Sequence, residues 1–164
     1  MQTGQMLLVL GAFVLLTTAV LSIHRALIEN QDVVDEAQYG IPAIALAQSV
    51  IEEASARVFD EVVTGTPPPN LPEGFTQPSA LGPDAGESYP DFDDVDDYNG
   101  LSIQDTTSVG AVYNIAASVY YVEVSDPDTP VSHPTFYKRI DVTTSNPFLA
   151  RPITISHLFS YWSR

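Results

Sequence analysis

The chain contains no cysteine, only six lysines and arginines, and no charged side chain before its twenty-fourth residue. Each absence excludes something. Without cysteine there is no disulfide, no thiolate metal site and no thiol nucleophile. The few basic residues are also badly placed for phosphate: none lies between Arg57 and Lys138, a stretch holding fourteen aspartates and glutamates. With a formal net charge of -15 and an isoelectric point near 4.1, nucleic acid is not expected as a partner, because phosphate contacts need clustered Lys and Arg. Catalytic signatures are missing as well. No G-x-S-x-G, G-x-G-x-x-G or Walker loop occurs, and His24, His133 and His157 make no pair at metal-binding spacing. No enzyme activity is expected from this chain.

What is present is unevenly distributed. From Met6 to Ile23 the chain reads MLLVLGAFVLLTTAVLSI, eighteen residues without a charge. As a helix this run is about 27 Å long, near the roughly 30 Å of hydrocarbon in a bilayer. A helix satisfies its own backbone hydrogen bonds, as hydrocarbon requires. A cleaved secretory signal would carry a basic start, a shorter apolar core and a small-x-small site. No Lys or Arg precedes this core, so a membrane-inserted helix is the favoured reading.

Helix-compatible sequence continues through HRALIENQDVVDEAQY. Gly40 and Pro42 interrupt it, and IPAIALAQSVIEEASARVFDEVV then resumes it. Ile44, Ala47, Ile51, Ala54 and Val58 recur at offsets of three and four, predicting one apolar face. A long helix with a kink or break near Gly40–Pro42 is expected.

Residues 64–100 hold seven prolines, five glycines and eight acidic residues. Such composition excludes a continuous helix or a central strand and predicts a long surface loop. Strand-like runs follow at Val112–Val124, Thr135–Ser145 and Pro152–Trp162, separated by Asp-Pro-Asp and Asn-Pro turn signals. Their aromatic residues are expected to serve as sheet core and cross-strand partners. The fold class expected is α+β, with a long amino-terminal helix packed on a carboxy-terminal antiparallel sheet. The segments are 1–28 apolar helix, 29–63 amphipathic continuation, 64–111 acidic loop and 112–164 β-meander.

One acidic cluster stands out: Asp91, Asp93, Asp94, Asp96 and Asp97. Dense carboxylates suit a hard cation such as Ca²⁺. With Gly100 at the sixth position of an EF-hand, Val95 takes the first and Thr106 the twelfth, so that register fails. Asp93, Asp94, Asp96 and Asp97 remain candidate Ca²⁺ ligands in another arrangement. The alternative is a solvated loop whose aspartates cap turns.

Apolar helix, amphipathic continuation, irregular loop and antiparallel sheet follow one another along the whole chain. That order resembles the type IV pilin-like superfamily, which includes pseudopilins and minor pilins. The opening MQTGQMLLVLGAF resembles a pilin start. The segment from Phe92 to Gly100 is similar to one preceding the sheet in pilin-like proteins of the mannose-sensitive haemagglutinin pilus type. The resemblance implies a structural subunit of an extracellular filament. It would be held in the bacterial inner membrane before assembly and joined to identical copies afterwards by pilus or secretion machinery. It assigns the polymerisation core to Met6, Leu7, Leu8, Val9, Leu10, Phe13, Val14, Leu15, Leu16, Val20 and Leu21. It also points to leader processing at Gly4 and Gln5. Family members carry Glu at the fifth mature position. Here that position is Val9 if Gly4 ends a leader, or Gln5 if Met1 is the mature start, and neither is charged. A monomeric, membrane-anchored accessory subunit is the alternative.

Overall fold

In the computed structural model of the chain, backbone is described for residues 3–63, 69–108 and 110–162, and side chains for the same residues apart from 29–36. Expectations that fall on Met1, Gln2, residues 64–68 or the side chains of 29–36 lie outside this description. The chain divides into two compact units, 1–38 and 39–164.

A single helix, α1, runs Thr3–Ser55 with Pro42 inside it. Of the kink or break expected at Gly40–Pro42, a break is therefore absent from the helical backbone. Proline removes one donor and crowds the carbonyl four residues back. Neighbouring contacts hold the turn: the Tyr113 hydroxyl donates to the Tyr39 carbonyl at 3.0 Å, and the Tyr39 ring stacks on Phe148 at 4.9 Å.

In the first unit, Thr3–Ile28 is long and apolar enough to cross a membrane. Its side chains are exposed, as with Leu8 at 76% and Leu15 at 71%. Its two adjacent threonines are satisfied internally. Thr17 donates to the Phe13 carbonyl at 2.8 Å and Thr18 to the Leu15 carbonyl at 2.9 Å. Neither hydroxyl of that pair requires water, which suits an apolar surround.

In the second unit the antiparallel sheet comprises β1 (Ser102–Thr106), β2 (Val112–Glu123), β3 (Asp126–Pro130), β4 (Tyr137–Ser145) and β5 (Ile153–Ser160). The order is β1-β2-β4-β5, with β3 paired to the end of β2. Burial alternates strictly on β4 and along most of β2, the period of a sheet with one covered face. Ile115, Ala117, Val119 and Tyr121 of β2 join Ile140 and Val142 of β4 and Phe159 of β5 on that face. The carboxy-terminal part of α1 packs there through Ala47, Val50, Ile51 and Ala54. Each full burial of a Val, Ile or Phe side chain contributes about 1.5–3 kcal/mol.

The covered helical face differs from the expected one. Ala43 and Val50 are buried, whereas Ile44 is 39% exposed and Val58 lies beyond the helix, bridged to Asp94. Ala43, Ala47 and Ala54 carry only a methyl group on the packing stripe, which permits close approach to the sheet.

Residues 69–100 also differ from a wandering surface loop, and the chain beyond them enters the sheet. Phe75, Phe92, Val95, Tyr98 and Leu101 belong to the core, and β1 pairs with β2 from Ser102↔Ala116 to Thr106↔Val112. The proline-rich part, residues 69–100, forms no strand of the sheet, so apolar anchors secure it instead. Polar ties add to these: the Tyr89 and Tyr98 hydroxyls both donate to the Glu53 carboxylate at 3.0 Å. β3 was expected as a turn. Its residues Asp126–Pro130 are all exposed, so no burial pattern could announce them as a strand.

Candidate functional site

The polar centre of the second unit is built on Lys138. Strand β4 points alternate residues inward: Lys138, Ile140, Val142 and Thr144 are all fully buried. The Lys138 side chain therefore enters the core beside Ile140 by parity alone. Its Nζ donates to the Phe59 carbonyl at 2.7 Å, to Asp60 Oδ2 at 2.9 Å and to Asp96 Oδ1 at 2.5 Å. It also lies 4.7 Å from the Phe59 ring centroid and 5.2 Å from that of Tyr121. A buried ammonium with this many partners meets the requirement for a charge out of water.

Asp60 follows the end of α1 and is fully buried. Its Oδ1 accepts from the Val62 N–H at 3.3 Å and from the Thr76 hydroxyl at 3.2 Å. Its Oδ2 accepts from the Thr76 N–H at 3.1 Å and the Tyr121 hydroxyl at 3.0 Å. Burial, and then the adjacent Asp60, raise the Tyr121 hydroxyl far above its ordinary range, so it stays a donor.

The aspartate cluster folds on itself around a short 3-10 turn, Asp96–Tyr98. Asp94 Oδ1 accepts from the Asp96 N–H at 2.7 Å and the Asp97 N–H at 3.2 Å. Asp97 Oδ2 accepts in return from the Asp93 and Asp94 N–H groups at 3.0 and 3.1 Å. Burial is the main cause, and neighbouring Asp96 the next, that pushes the Asp94 carboxyl up to about 8. Burial raises Asp96 too, against the opposing pull of Lys138.

The four candidate Ca²⁺ ligands thus divide. Asp94 and Asp96 are turned to the turn's own N–H groups and to Lys138. Asp97 keeps its bonds from the Asp93 and Asp94 N–H groups and also comes together with Asp93 and Glu87, one carboxylate oxygen of each lying within 4.8 Å of the others. Glu87 was not foreseen as a member; it precedes the cluster by a loop. Desolvation and then, against a bond from the Asp84 N–H, the charges of Asp97 and Asp93 raise the Glu87 carboxyl. Glu61 is raised for similar reasons, first by burial and then by Asp93. Crowded carboxylates of this kind are relieved by a divalent cation, for which they supply three oxygens of the six to eight that Ca²⁺ takes.

Sequence reasoning missed the Lys138 centre altogether. One signal was available: Lys138 has the same parity on β4 as Ile140 and Val142. Nothing local pointed to Asp60 or Asp96 as its partners. No protein-family model matches this chain, and neither a curated protein nor a solved structure is similar to it.

Proposed function

We propose that this chain is the subunit of an extracellular, type IV pilus-like filament, held in the inner membrane before assembly by the same helix that later forms the filament core. One observation carries the reading. The 26 residues Thr3–Ile28 present a fully exposed apolar surface on a helix whose later turns belong to an α+β unit. An apolar surface of that extent needs lipid or protein around it. Packing between copies would gain from close approach rather than from escape from water. Gly11, Ala12, Thr17, Thr18 and Ala19 are small enough for it, and the two threonine hydroxyls are already satisfied. Met6 to Leu10, Phe13 to Leu16, Val20 and Leu21 are the contact residues of that core. The acidic α+β unit would face outward, where its charge favours solubility.

A second reading has its own observation. Neither Gln5 nor Val9 offers the carboxylate that resembling subunits use toward a neighbour's terminal amine. That favours a monomeric accessory subunit anchored in the membrane. Electron microscopy of native material separates the two: filaments built of this chain support the first reading, and dispersed detergent-bound monomers support the second.

A further inference from the structure

We propose that Lys138 and Asp60 are joined by an amide bond between their side chains, formed by the folded protein with Asp96 as the proton carrier.

The reactants are held in place. Nζ of Lys138 lies 2.9 Å from Asp60 Oδ2 and 2.5 Å from Asp96 Oδ1. The side chains of Lys138 and Asp60 are both fully inaccessible to solvent, and that of Asp96 is 4% exposed. The walls are aromatic: Phe59 and Tyr121 flank the amine. In water an ammonium and a carboxylate stay apart as hydrated ions. Here hydration is lost, and contact replaces the encounter of separate molecules, an advantage that reaches many orders of magnitude in effective concentration. Moving a proton from Nζ to a carboxylate removes two charges from a dry pocket, which the low dielectric favours.

The two oxygens of Asp60 have different surroundings that suit different fates. Oδ1 is held by the Val62 N–H and the Thr76 hydroxyl. Those donors stabilise an oxygen that gathers negative charge as the carbon becomes tetrahedral, and they then hold the amide oxygen. The Thr76 N–H reaches both oxygens, at 3.1 Å for Oδ2 and 3.3 Å for Oδ1. Oδ2 alone faces Nζ and the Tyr121 hydroxyl. It is placed to leave.

The step balances without any co-reactant. The Asp96 carboxylate takes a proton from the Lys138 ammonium, freeing the nitrogen lone pair. Nζ attacks Asp60 Cγ; the C–N bond forms and charge moves to Oδ1. A second proton leaves Nζ through Asp96. Both protons arrive at Oδ2, the C–Oδ2 bond breaks, and water departs. Asp96 ends as it began, and one ammonium and one carboxylate have become an amide and a water. The product ties the exit of α1 to the central strand β4.

The test is the intact mass of the full-length protein, purified folded in detergent and then denatured. We expect a mass lighter than that of the sequence by one water. Cleavage after glutamates should then yield fragment 54–61 covalently joined to fragment 124–164, since no glutamate follows Glu123. D96N, which keeps an oxygen for Nζ but cannot carry the proton as a carboxylate, should have the full sequence mass. A folded wild-type chain at full mass overturns the proposal. So does a lost water without the joined fragments, which would mark a cyclic imide elsewhere. Should D96N fail to fold, the wild-type mass still decides. The outcome does not depend on whether the chain forms filaments.

Discussion

Replacing Asp94 by Asn tests the buried acidic turn most directly. Asn keeps the Oδ1 acceptor that holds the Asp96 and Asp97 N–H groups at 2.7 and 3.2 Å. It removes only the capacity to ionise. The native state holds the Asp94 proton up to about 8, against an ordinary 3.8. A carboxyl raised in the fold contributes stability that is complete below its unfolded value. That stability is lost as pH rises toward the folded value. Between pH 3.8 and 7 there are about three pH units, each about 1.4 kcal/mol, so the wild type forgoes up to about 4 kcal/mol by neutrality. The Asn variant forgoes none of it. The two proteins should have similar stability near pH 4, and the variant should gain steadily above that until about pH 8. A unit of this size shifts its melting temperature by about 4 °C per kcal/mol. Thermal unfolding followed by near-ultraviolet circular dichroism, in detergent with a chelator, from pH 4 to 9, measures the divergence. Parallel curves for the two proteins, or a variant less stable at pH 7, would refute the burial of a neutral Asp94.

Other substitutions probe the remaining elements. Val14→Asp places an unpaired carboxylate on the apolar stretch of α1, costly in lipid or in a helical core; the chain should be made but should form no filaments in electron micrographs, while Ser79→Asp should assemble normally. Calcium at millimolar concentration should raise the melting temperature of the wild type, because binding to the folded state alone stabilises it. The same addition should leave Asp93→Asn unchanged if Glu87, Asp93 and Asp97 hold the ion, and an equal shift in both would assign binding elsewhere. Tyr121→Phe removes a hydroxyl that donates to Asp60 at 3.0 Å and to the Thr76 carbonyl at 2.9 Å. Chemical denaturation should show a loss of about 1–3 kcal/mol, and no loss would mean that the hydroxyl is dispensable to Asp60.

Local pattern alone determined a good part of this protein. The charge-free run to Ile23 determines a helix and its need for an apolar surround, because both follow from composition over consecutive residues. Alternation along Val112–Glu123 and Tyr137–Ser145 determines strands with one covered face, because neighbouring side chains on a strand point in opposite directions. Turn chemistry at Asn146-Pro147 separates β4 from β5. Tertiary structure decided the rest, wherever partners are distant in sequence. Pro42 reads as a stop, yet the helix runs through it with Tyr113 and Phe148 packed beside the turn, contacts that no local window contains. The Pro-rich segment reads as loop, yet Phe75, Phe92 and Tyr98 bury it against the sheet. β3 is exposed throughout and exists only through its pairing with β2. Asp94 and Asp97 read as cation ligands of one kind, but the fold buries both and brings only Asp97 to Glu87 and Asp93. Lys138 meets Asp60 and Asp96 across separations of 78 and 42 residues, and that meeting depends on where the sheet places β4 against the end of α1. Charge and hydropathy report what each residue tolerates; only the packed chain selects which oppositely charged group it meets.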